Sequence, residues 1–66
     1  MDNVKIGQLI LQLRKEKGMT QQQLAEQLKI SNKTISKWET GNGAPDVSLW
    51  ENLSTVLGAD ILKLLQ

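Results

Sequence analysis

Apolar residues recur along this chain at helical spacing. Ile6, Leu9, Ile10 and Leu13 follow the i, i+3, i+4, i+7 pattern of one helix face. They predict a first helix over about residues 4–17, ended by Gly18, since glycine accepts the left-handed conformation that follows a helix. Gly7, inside that helix, costs about 1 kcal/mol relative to alanine, and close packing is its expected reason. Thr20 followed by Gln23 reads as a capping box, so a second helix starts at Gln21 and turns Leu24, Ala25 and Leu28 inward. Ser31 caps a third helix over about residues 32–40, which Gly41 ends. Only Lys29 and Ile30 separate the second helix from that cap, the spacing of a helix-turn-helix. Beyond a loop at 42–45, Leu49, Leu53, Val56 and Leu57 mark a fourth helix, capped by Asp46 or by the Ser48 and Glu51 pair and stopped by Gly58. Residues 60–66 fit one or two further turns carrying Ile61, Leu62, Leu64 and Leu65. No period-2 alternation marks a strand. The expected fold is therefore all-α, a compact bundle of five short helices filling a single domain over residues 1–66, with helices 2 and 3 forming the helix-turn-helix.

Composition narrows what such a bundle can do. A chain of 66 residues buries only about 60 % of the surface its unfolded form exposes, so stability is expected to be marginal. There is no cysteine and no histidine, which removes disulfides and the usual zinc ligand sets. No metal and no cofactor are expected. No apolar run approaches the roughly 18 residues of a membrane span, and the N-terminus lacks the continuous apolar core of a signal peptide. A cytoplasmic protein with no membrane partner is the expectation. Eight basic against seven acidic residues leave a net charge of +1, so any attraction to an anionic partner must come from placement rather than from excess charge.

Placement is uneven in the stretch SNKTISKWE, residues 31–39. On a helical wheel advancing about 100° per residue, Asn32, Ser36, Thr40, Lys33 and Lys37 share one continuous arc. Ile35 and Trp38 fall on the other side, which makes Trp38 a core residue, and Glu39 lies on the boundary. The outward arc holds amide, hydroxyl and ammonium groups but no carboxylate, and Lys29 adds a further positive charge beside it. Solvation alone explains many polar helix faces. Here the preceding helix-turn-helix spacing turns the same arc into a candidate DNA-reading surface, with cations for phosphates and guanine edges and an amide for adenine.

Taken in order, Ile6-Gly7 through Leu13-Arg14, Gly18-Met19-Thr20-Gln21, Leu24-Ala25, Leu28, Ile30-Ser31 to Trp38-Glu39, Gly41, Pro45-Asp46 and Leu57-Gly58 resemble the lambda repressor and Cro-like helix-turn-helix domain, also called the xenobiotic response element family. The resemblance covers nearly the whole chain. It implies a third helix in the major groove of double-stranded DNA, usually with a homodimer on a palindromic operator. By position it implies base reading by Asn32, Lys33, Ser36 and Lys37, and DNA-backbone contacts by Gln21, Lys29, Ser31, Thr40 and Asn42. Gln21 matches a glutamine that binds a phosphate and braces the start of the recognition helix. Arg14 and Glu39 match a partly buried ion pair tying helix 1 to helix 3. Lys29 departs from the family, which commonly has glycine in the turn; a positive φ there costs lysine about 1 kcal/mol. The modest net charge implies weak non-specific binding and a need for two copies.

A DNA-binding transcriptional regulator, most simply a repressor, is thus the expected function. The alternative is a protein-interaction module, such as an antitoxin that grips a partner through the apolar C-terminal surface. Ile61, Leu62, Leu64 and Leu65 exceed what one short helix buries and are expected to supply a dimer contact or a junction to a downstream domain. Trp50 lies at the core edge, and Met19 fills a gap between helices 1 and 2. Enzymatic chemistry is not expected, since no phosphate-binding glycine loop or convergent acidic pair is present, and no small-molecule effector is expected within this chain.

Overall fold

Asp2 opens the first helix by accepting from the backbone N–H groups of Val4 (2.9 Å) and Lys5 (3.4 Å), a cap the apolar pattern did not reveal. A computed structural model describes residues 2–65. Among them lie α1 (Asn3–Glu16), α2 (Gln21–Leu28), α3 (Asn32–Glu39), α4 (Val47–Leu57) and α5 (Ile61–Leu64), with no strand. Each helix begins at a residue that prefers to cap. Thr20 Oγ1 accepts from Gln23 N–H at 3.0 Å while Gln23 Oε1 accepts from Thr20 N–H at 2.8 Å, completing the capping box. Ser31 Oγ accepts from Thr34 N–H, and Asp60 Oδ1 from Lys63 N–H.

The start of α4 differs from both sequence expectations. Asp46 occupies the cap position, but its side chain bonds no helix N–H. Instead Ser48 Oγ donates to Asp46 Oδ2 at 2.7 Å, so neither Asp46 nor a Ser48 and Glu51 box caps in the usual way. That hydroxyl holds the Asp46 carboxyl below its ordinary value of 3.8. Its contribution to stability is present above that value and fades as pH falls through the lower folded one.

The core is built where the wheel places it. Ile6, Ile10, Leu24, Leu28, Ile35, Trp38, Leu53, Leu57 and Ile61 are buried, with Leu9, Leu13, Met19, Ile30, Leu49, Trp50 and Val56 packed around them. Helix α1 packs on α3, α2 on α3 and α4, and α4 on α5. Ile61 is fully buried, which corrects its place among the apolar tail residues expected to meet a second chain. Ser54 Oγ accepts from Ile61 N–H at 3.2 Å, and this bond sets the first residue of α5 against α4 with its side chain inward. Leu62 and Leu64 remain about half exposed and Leu65 is partly buried. Gln66 lies outside the described residues. No described helix is long and apolar enough to cross a membrane.

Glycines Gly18, Gly41 and Gly58 take positive φ where α1, α3 and α4 end. At the end of α2 the same left-handed geometry falls on Lys29, with φ 58° and ψ 43°. A side chain in this region costs about 1 kcal/mol relative to glycine. Lys29→Gly is therefore expected to raise stability by about 0.5 kcal/mol after allowing for glycine's extra freedom in the unfolded chain. Thermal melting should show a rise of about 4 °C.

Candidate nucleic-acid interface

Three helices meet at one carboxylate. Glu39, the last residue of α3, has a side chain only 5 % exposed. Its Oε2 accepts from Arg14 Nε at 2.7 Å and its Oε1 from Arg14 Nη2 at 3.1 Å, so the guanidinium and carboxylate meet fork to fork. Arg14 Nη1 turns the other way and donates to the carbonyl of Met19 at 2.7 Å, which fastens the α1–α2 turn. Gln21 Nε2, at the start of α2, donates to Glu39 Oε1 at 2.8 Å. The pair fixes α3 against α1, and no buried side-chain polar atom among the described residues lacks a partner.

Gln21 thus braces the end of α3 rather than its start, where sequence position had placed the contact. The start of α3 is held instead by Ser31, whose hydroxyl caps the helix and lies 3.0 Å from Thr34 Oγ1. Met19 carries a role that its side chain could not signal, since the group that binds Arg14 is its carbonyl.

Outward of this anchor, α3 exposes Asn32, Lys33 and Lys37, with Ser36 partly buried beside them. Lys29, in the turn, and Ser31 are also exposed. Arg14–Glu39 is the only ion pair among the described residues, so the ammonium groups of Lys29, Lys33 and Lys37 are unpaired. The one acid of α3 is turned inward and neutralised. The result is an arc of free donors with no carboxylate in it.

Thr40 and Asn42 lie at the far end of the arc, and their donors are largely committed. The Thr40 hydroxyl donates to the carbonyls of Ser36 (2.9 Å) and Lys37 (3.2 Å), and Asn42 Nδ2 donates to Thr40 Oγ1 at 2.9 Å. The backbone N–H of Asn42 goes to Lys37 O. A phosphate here meets one remaining amide N–H of Asn42 and would have to compete for the Thr40 hydroxyl.

The chain is similar in sequence and in fold to several known regulators. Residues 10–64 match the sequence profile of the family described as Helix-turn-helix. The chain is 40 % identical over 62 residues to the HTH-type transcriptional activator BcrR of Enterococcus faecalis, spanning 94 % of this chain and 30 % of that protein. It is 36 % identical over 55 residues to an HTH-type transcriptional regulator of Methanothermobacter thermautotrophicus, spanning 83 % of this chain and 80 % of that one. Among solved structures, the clp gene regulator ClgR of Corynebacterium glutamicum superposes with a TM-score of 0.88 at 26 % identity, covering 98 % of this chain and 69 % of that one. The restriction-modification controller protein C.AhdI of Aeromonas hydrophila does so with a TM-score of 0.84 at 28 % identity, covering 96 % of each chain. With the helix-turn-helix geometry and these likenesses together, the chain belongs to the lambda repressor and Cro-like helix-turn-helix family of transcriptional regulators.

Proposed function

We propose that this chain is a single sequence-reading domain that lays α3 in the major groove of double-stranded DNA. The observation that carries the reading is the carboxylate-free arc of unpaired ammonium and amide groups on α3, held by a buried anchor that leaves those groups free. Asn32, Lys33, Ser36 and Lys37 read base edges, with lysine suited to guanine O6 and N7 and asparagine to adenine N6 and N7. Lys29, Ser31, Gln21 and the end of α3 around Thr40 and Asn42 meet phosphates, setting register without carrying sequence. The net charge of +1 supports a homodimer on a palindromic operator, where two copies double the contacts. Leu62 and Leu64 are the exposed apolar residues of the tail offered to that second copy, with Leu65, which packs partly against the core, at their edge. Bound across a promoter, such a dimer represses by occlusion. The Enterococcus relative is named an activator, but this chain spans only 30 % of it, and the sign of regulation does not travel with a shared DNA-binding fold.

The test is selection from randomised duplex DNA at physiological salt, run on the parent and on Lys33→Ala/Lys37→Ala. The parent is expected to enrich a two-fold motif. The variant is expected to lose it, with thermal melting unchanged within about 0.5 kcal/mol because both lysines are exposed. Where either lysine also neutralises a phosphate, its removal lowers the slope of log K against log salt by about 0.9. Equal enrichment by both proteins would refute base reading by this arc.

A further inference from the structure

Glu39 is more than a partner for Arg14. Its Oε1 accepts at once from Arg14 Nη2 and from Gln21 Nε2, the second bond being the shorter at 2.8 Å. An amide facing a carboxylate can present only its nitrogen, because the flipped amide would set oxygen against oxygen. The orientation of Gln21 is therefore dictated by chemistry. One N–H of Nε2 is spent on Glu39, and a second remains on a side chain that is only partly buried.

We infer that Glu39 is a positioning residue for DNA binding: it locks the Gln21 amide so that its remaining N–H is offered to a backbone phosphate, while Arg14 cancels the carboxylate's own repulsion of that phosphate. This rests on the proposed docking of α3 and deepens it. A carboxylate one hydrogen bond away from a phosphate contact would ordinarily oppose binding. Here the guanidinium makes two bonds to it, at 2.7 and 3.1 Å, and the side chain is 5 % exposed, so its charge is balanced while Gln21, partly exposed, keeps one N–H uncommitted. The ion pair that anchors the fold thereby also sets a donor of the interface.

The chemistry separates this role from a merely structural one. Gln21 is neutral, so its contact releases no counterion. Gln21→Met keeps the volume and removes the donor. It is expected to weaken binding to every duplex by about tenfold per bound chain, the size of one hydrogen bond to a charged group, with the salt slope unchanged. Glu39→Gln is expected to weaken binding comparably in the parent but to add nothing in the Gln21→Met background, since its effect runs through Gln21. A structural Glu39 would give the same loss in both backgrounds.

Because Glu39→Gln also strips Arg14 of its counter-charge and lowers stability, a second readout uses the parent alone. In ¹⁵N spectra the Gln21 side-chain amide should shift when the selected duplex is added. Full affinity in Gln21→Met, an unshifted Gln21 amide in the bound parent, or equal losses from Glu39→Gln in both backgrounds would each overturn the inference. Failure of the docking itself is told apart by the parent, which would then select no DNA motif at all.

Discussion

Gly7→Ala is expected to leave this domain largely unfolded near 37 °C. On helix propensity alone the change is favourable by about 1 kcal/mol. The tertiary structure reverses the sign. A Cβ at position 7 would overlap the carbonyl oxygen of Trp38 and lie 2.9 Å from its carbonyl carbon and 3.2 Å from Glu39 Cα. All three are backbone atoms of α3, so no side chain can rotate away, and α1 and α3 must separate. Overpacking of this kind costs about 3 kcal/mol or more. A domain of this length holds only about 3–10 kcal/mol in total. Urea titration followed by helical circular dichroism should place the midpoint of Gly7→Ala far below the parent's. A midpoint equal to or above the parent's would show that α1 and α3 do not approach as closely as the structure has them.

Arg14→Ala carries the second large effect. It leaves the Glu39 carboxylate, 5 % exposed, with the Gln21 amide as its remaining side-chain partner, and it leaves the Met19 carbonyl without the guanidinium donor. Removing one member of a buried pair costs about 3–5 kcal/mol because the other charge stays behind. Replacing both members with apolar residues of similar size, as in Arg14→Met/Glu39→Leu, should recover most of that loss. The same denaturation experiment checks both variants. A double variant no more stable than Arg14→Ala would mean that packing around the guanidinium, rather than the stranded charge, sets the cost. By contrast, the double variant should still lose the Gln21 effect on DNA, since no carboxylate remains to orient the amide.

Much of this architecture was legible because local rules and burial agree. The apolar spacing of Ile6, Ile10, Leu24, Leu28, Ile35, Trp38, Leu53 and Leu57 predicts the inward faces of α1 to α4, and all eight are buried. Gly7 stood out because a glycine inside a helix must be explained, and its explanation is the Trp38 carbonyl. Lys29 was legible as a glycine-like position through family likeness, and its φ is positive.

Other features were hidden for physical reasons. Ile61, Leu62, Leu64 and Leu65 are chemically alike, and a helix of four residues has too little periodicity to say which one faces in; the Ser54 bond that decides it joins residues seven apart. Gln21 could reach either end of α3 with its long side chain, and the choice falls to a buried acid that lies 18 positions away. At Asp46 a neighbouring hydroxyl outcompeted the helix N–H groups for the carboxylate. The polar arc of α3 was legible as an arc, whereas its freedom from ion pairs depended on Glu39 being turned inward.

Titrating ¹⁵N-labelled protein with the selected duplex, and mapping which amides shift, tests most directly whether α3 is the surface that meets DNA. Residues 29–42 and the start of α2 should shift in concert at stoichiometric DNA, with the outer face of α4 unaffected. If the shifts instead cluster on α4 and α5 and spare Asn32, Lys33 and Lys37, the arc on α3 is a solvated face and DNA reading by it is wrong.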